Sequence, residues 1–133
     1  MIWSWPIALM VASGGALGAL ARWQLSGWAT RSLGPAFPYG TFAVNVVGGL
    51  LMGLLAAALL ERSAGDLSRA APFLITGILG GFTTFSAFSL DAVYLIERGR
   101  PGLAALYVGG SVVLSIGALW AGLAGGRAIW GQG

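Results

Sequence analysis

Charged residues are placed along this chain so that four long stretches carry none. Residues 1–21, 32–60, 70–90 and 101–126 give runs of 21, 29, 21 and 26 residues without an Asp, Glu, Lys or Arg. About 20 apolar residues suffice for an α-helix to cross the hydrocarbon core of a bilayer. Backbone at that depth must satisfy its hydrogen bonds internally, which helices do within a single segment. The expected fold is therefore all-α: a single transmembrane domain over residues 1–133, with four spans near 5–25, 39–60, 72–96 and 102–126. Gly34-Pro35 and Pro38 break the chain between the first two spans. Polar turns at 61–66 and 97–101 separate the others. The first run is expected to stay as a helix and not to be removed as a signal peptide, because no basic residue precedes Arg22.

The charge inventory excludes most chemistry. Only 8% of the 133 residues are charged, against about 25% in soluble domains, and the mean hydropathy is +0.85. Seven arginines and four acids are the whole set, with no lysine, histidine or cysteine. That removes thiolate nucleophiles, disulfides, Cys/His zinc sites and Ser-His-Asp triads, and the chain is not expected to be an enzyme. A pI near 10.2 would hint at nucleic acid in a polar protein. On this chain it records a net charge of only +3, and the lipid bilayer is the expected partner.

Arginine also sets orientation, since topology follows the Lys/Arg difference between short loops. With four spans, Arg62, Arg69 and Arg127 fall on one side and Arg22, Arg31, Arg98 and Arg100 on the other. If Arg22 belongs to the first helix, the count is equal. So small a bias predicts insertion in both orientations and an antiparallel pair of copies, the alternative being a chain with merely weak bias.

Glycine and polar side chains say how such spans pack. Gly14 and Gly18, Gly49 and Gly53, Gly77 and Gly81, and Gly122 and Gly126 place one Gly-x-x-x-Gly pair in every span. This spacing suits close helix–helix contact. The second span carries Thr41 and Asn45. The fourth carries Tyr107, Ser111 and Ser115, spaced to share one face. That stripe is either interhelical hydrogen-bonding glue or a path of neutral donors for a small anion; a cation would be served less well. In the third span, residues 80–89 read Gly-Gly-Phe-Thr-Thr-Phe-Ser-Ala-Phe-Ser. Paired glycines and threonines are poor helix formers, so an unwound turn is expected there. Non-helical backbone at membrane depth must be buried in protein or line a cavity. Phe85 and Phe88 follow, with ring edges that can face an anion.

These residues, together with Pro38-Tyr39-Gly40-Thr41, Asn45, Gly48-Gly49 and residues 18–23 (Gly-Ala-Leu-Ala-Arg-Trp), resemble the Fluc (CrcB) fluoride channels over essentially the whole chain. The resemblance implies an antiparallel, dual-topology homodimer in a bacterial inner (plasma) membrane. It implies two pores that export fluoride passively and exclude chloride. It also implies pore-lining roles for Phe85, Phe88, Asn45, Thr41, Ser86, Tyr107, Ser111 and Ser115, and a vestibule position for Arg22. Backbone carbonyls of Gly80 and Thr83 would hold a central structural sodium ion. Two positions depart from the family pattern: Asp91 stands where glutamate is more usual, and Ala87 where threonine is common. A small multidrug-type exchanger would need a carboxylate in the first span, which residues 1–21 lack. A non-conducting scaffold subunit is the other rival, with the polar stripe against it.

Overall fold

A computed structural model gives the structure of residues 3–61 and 65–131. Among these the chain is helical, with no strand. Four helical stretches are long and apolar enough to cross a membrane: Trp5–Leu33, Tyr39–Glu61, Gly65–Glu97 and Pro101–Trp130. The first (α1) and second (α2) are continuous helices. The third span contains α3 (Gly65–Ala71), a π-helical segment (Pro72–Leu79), α4 (Gly80–Phe82) and α5 (Ser86–Glu97), and the fourth span is α6 (Pro101–Trp130). The expected turn at 61–66 falls largely on residues 62–64, outside the described residues, and Arg62 with it.

Helix ends follow local chemistry. Pro101 opens α6, where a missing N–H costs nothing, whereas Pro72 lies where α3 passes without a break into the π-helical segment. Gly34 stops α1 with φ 85°, its N–H donating to the Thr30 carbonyl. Gly99, with φ 72°, turns the chain between α5 and α6. Two helices run past their expected ends: α1 continues beyond residue 25 to Leu33, and α6 beyond 126 to Trp130. The reason is shared. A lone arginine ends an apolar run but favours helix, so Arg22 and Arg127 are carried inside helices that stop further on.

The glycine pairs sort the spans into two couples. In the first, α1 packs against the third span: a Cβ on Gly77 would stand 2.9 Å from Gly14 Cα, and one on Gly81 2.5 Å from the Gly15 carbonyl oxygen. In the second, α2 packs along α6, in the most extensive helix contact of the chain. There a Cβ on Gly53 would collide with the Leu119 carbonyl and one on Gly122 with that of Leu50. Backbone meets backbone at both seams, the small-residue packing that serves where lipid removes the hydrophobic drive. Glu61 and Arg127, 3.7 Å apart, link the ends of α2 and α6. Phe88, Leu95, Ala104 and Tyr107 form an apolar cluster between α5 and α6, with Phe37 and Phe42 against it. Large apolar side chains such as Ile7, Leu17, Leu106, Val113 and Ile116 lie exposed along the helices, as a lipid-facing surface requires.

Candidate functional site

The functional geometry starts at Thr83 and Thr84, between α4 and α5. Thr83 is extended (φ −79°, ψ 156°), and its N–H and Oγ1 both reach the Leu79 carbonyl, at 3.0 and 2.9 Å. In a continuous helix the Thr84 N–H would donate to the Gly80 carbonyl and the Ala87 N–H to that of Thr83. Neither does so. The Thr84 N–H donates to Asn45 Oδ1 at 2.9 Å, and the Ala87 N–H donates to Thr84 Oγ1 at 3.2 Å, closing the first turn of α5. Asn45 Nδ2 in turn donates to the Thr84 carbonyl at 2.9 Å. One amide side chain on α2 thus meets both polar groups of Thr84.

Beside this segment lies an open groove of about 580 Å³ between α2, the third span and α6. Its walls bring together seven of the residues expected to form a site: Asn45, Gly80, Thr83, Phe85, Phe88, Ser111 and Ser115. The hydroxyls of Ser111 and Ser115 are buried and have no hydrogen-bond partner among the described residues. They therefore do not glue α6 to another helix of the same chain. A buried polar group left in that state is costly, and these two lie one turn apart on the wall of the groove. Phe88 is buried and Phe85 is 78% exposed, their rings 5.5 Å apart.

The remaining expected residues lie elsewhere. Tyr107 is fully buried, its ring 5.3 Å from Phe88 and 5.4 Å from Phe37. Its hydroxyl donates to Asp91 Oδ2 at 3.1 Å. Thr41 and Asp91 line a second cavity of about 240 Å³ toward the other end of the bundle, with Ser26, Thr30 and Arg98 also in its wall. Ser86 is exposed, with Oγ 3.3 Å from Thr84 Oγ1. Arg22 lies within α1, about 16 Å of helix before Leu33 at 1.5 Å per residue, and lines neither cavity. Among the described residues no group of three or more Asp, Glu, His or Cys side chains suited to a metal ion occurs.

Sequence reasoning missed Thr84. Its signal was present, since threonine just before a helix is a favoured cap, but the paired threonines read as weak helix formers. The second cavity was also missed. Its polar residues come from α1, α2 and α5, and no linear pattern joins them.

Comparison with known proteins agrees over most of the chain. Residues 9–123 match the family described as CrcB-like protein, Camphor Resistance (CrcB). A protein of Cereibacter sphaeroides named fluoride-specific ion channel FluC is 60% identical over 119 residues, covering 90% of this chain and 93% of the relative. A Rhodopseudomonas palustris protein of the same name is 56% identical over 121 residues, covering 91% and 97%. One from Agrobacterium fabrum is 52% identical over 118 residues, covering 89% and 94%.

Proposed function

The chain belongs to the CrcB family, and from that premise we propose that it is a fluoride-selective channel of the cell membrane and not an enzyme. The observation that carries this reading is the groove, where two buried hydroxyls without partners, at Ser111 and Ser115, share a wall with Asn45 and the Phe85–Phe88 pair. Fluoride is small and strongly hydrated, so a path for it must supply hydrogen-bond donors in series to replace its water. Ser111, Ser115 and the second Nδ2 proton of Asn45 are such donors, and the ring edges of Phe85 and Phe88 add a weakly positive lining. None carries a full positive charge, which leaves binding weak enough for release. Tyr107 continues the same face of α6 toward Asp91 and Thr41, which gives the path a direction through the bundle. Ser86 adds a hydroxyl beside Thr84, and Arg22, on α1 outside both cavities, is assigned to the vestibule.

The functional unit in this proposal is an antiparallel homodimer with two pores. Support comes from the open groove, from Phe85 exposed on its rim, and from arginine balance. Arg22, Arg31, Arg98 and Arg100 stand against Arg62, Arg69 and Arg127, a difference of one. A sodium ion fits the same arrangement. The Gly80 and Thr83 carbonyls lose their helical donors to Asn45 and to Thr84 Oγ1, and carbonyl oxygens freed at a helix interruption suit such an ion. Two oxygens from one chain are too few, so a second copy would complete the shell. When bound, the ion would fix the two third spans against each other. Density for it on the twofold axis tests the assignment.

Passive flow would export fluoride, because hydrogen fluoride enters cells as the neutral acid and dissociates inside. Expression in fluoride-sensitive bacteria tests the proposal: growth in fluoride medium should be restored by this chain. It should not be restored by a Ser111→Ala/Ser115→Ala variant inserted at equal level. Equal growth with and without the chain would contradict it.

A further inference from the structure

Resting on the channel reading, we infer that Asn45 is a positioning residue as well as a donor: it holds the Thr84 peptide and thereby fixes Phe85 at the groove.

Among the described residues the Asn45 side chain makes two hydrogen bonds, and both go to the backbone of one residue 39 positions away. Oδ1 accepts the Thr84 N–H and Nδ2 donates to the Thr84 carbonyl, each at 2.9 Å. This pattern fixes the amide, since a flipped side chain would set donor against donor. It resembles one rung of a β-ladder in which a side chain stands in for the second strand. Thr84 needs such a partner. It sits between α4 and α5, with backbone groups outside the regular helical pattern and only 9% exposure. Buried backbone of this kind is almost always paired.

Phe85 is the next residue, and little else restrains it. Its side chain is 78% exposed, and its ring touches Phe88 at a centroid distance of 5.5 Å. Its carbonyl accepts from the Ser89 N–H and from Ser89 Oγ, both at 2.9 Å. The peptide is therefore tied on the α5 side by Ser89 and on the other side by Asn45 through Thr84. Without Asn45, the chain from Thr83 to Phe85 loses its two hydrogen bonds to α2 among the described residues, and the Thr83 methyl packed over Gly48 remains.

Two readouts and one flux measurement test this on the full-length chain in lipid nanodiscs. Amide hydrogen exchange at single-residue resolution should show Thr84 protected in the parent protein. In Asn45→Ala, exchange at Thr84 should be at least tenfold faster, with α2 and α6 unchanged. Asn45→Asp keeps an acceptor for the Thr84 N–H, and when its carboxyl is protonated the hydroxyl donates to the Thr84 carbonyl in place of Nδ2, so protection at Thr84 should persist at low pH. It also keeps the test decisive if the alanine variant fails to fold. A 4-fluorophenylalanine label at position 85 should give one narrow fluorine resonance in the parent and a broadened or split one in Asn45→Ala. Fluoride flux in Asn45→Ala should fall at least tenfold. Unchanged exchange at Thr84 in the alanine variant, or exchange in the aspartate variant at low pH as fast as in alanine at the same pH, overturns the clamp. Faster exchange with an unchanged fluorine signal overturns the link to Phe85. A loosened clamp with undiminished flux overturns its role in the pathway. Absence of flux in the parent protein would instead refute the channel reading, and the exchange and fluorine measurements do not depend on it.

Discussion

Ser111 and Ser115 carry buried hydroxyls without a hydrogen-bond partner among the described residues. Each unsatisfied buried polar group costs about 1–3 kcal/mol, so removing it should not weaken the fold. Ser111→Ala and Ser115→Ala are therefore expected to leave thermal stability in detergent unchanged or raised by up to about 1 kcal/mol each. The double variant should lose at least tenfold in fluoride flux. A large loss of stability would mean that these hydroxyls have a structural partner. Tyr107 behaves in the opposite way. Tyr107→Phe keeps the ring against Phe88 and Phe37 but removes the donor to Asp91 Oδ2. That change should cost about 1–3 kcal/mol, as a hydrogen bond to a carboxylate does, measured by the same thermal unfolding. The shorter Asp91, where the family more often has glutamate, still reaches the tyrosine hydroxyl directly.

Elements meet through glycine at both seams, and the two kinds of glycine can be told apart. A Cβ on Gly53 would strike the Leu119 backbone, whereas one on Gly117 would meet nothing within 4 Å. Gly53→Ala should push α2 and α6 apart and destabilise by about 1–3 kcal/mol, the usual cost of overpacking. Gly117→Ala should be neutral or stabilising by up to about 1 kcal/mol, because glycine is a poor helix former. Thermal unfolding of the two variants side by side checks the contrast. The four apolar spans could be read from charge spacing because lipid imposes one length on every crossing helix. The glycine pairs could be read as contact sites because their spacing is helical. Which pair meets which could not, since Gly14 with Gly77 and Gly53 with Leu119 are matters of three-dimensional pairing. The π-helical turn at Pro72–Leu79 also left no pattern in the sequence. The candidate site was legible where its residues lie on one helix face, as Ser111 and Ser115 do. It was not legible where a side chain crosses between spans: the two hydrogen bonds from Asn45 to Thr84 leave no pattern in the sequence.

At the scale of the molecule, a chain of four spans encloses only one side of the groove, and the proposed second copy supplies the other. If insertion follows the near-even division of arginines, tags on the C-terminus should be found on both sides of the membrane in comparable amounts. A single orientation in cells would remove the antiparallel dimer. The central claim, that the groove conducts fluoride and rejects chloride, is tested most directly by ion efflux from liposomes containing the purified protein. Fluoride should leave rapidly, with chloride retained in the same vesicles; no fluoride efflux, or chloride leaving at a comparable rate, would contradict it.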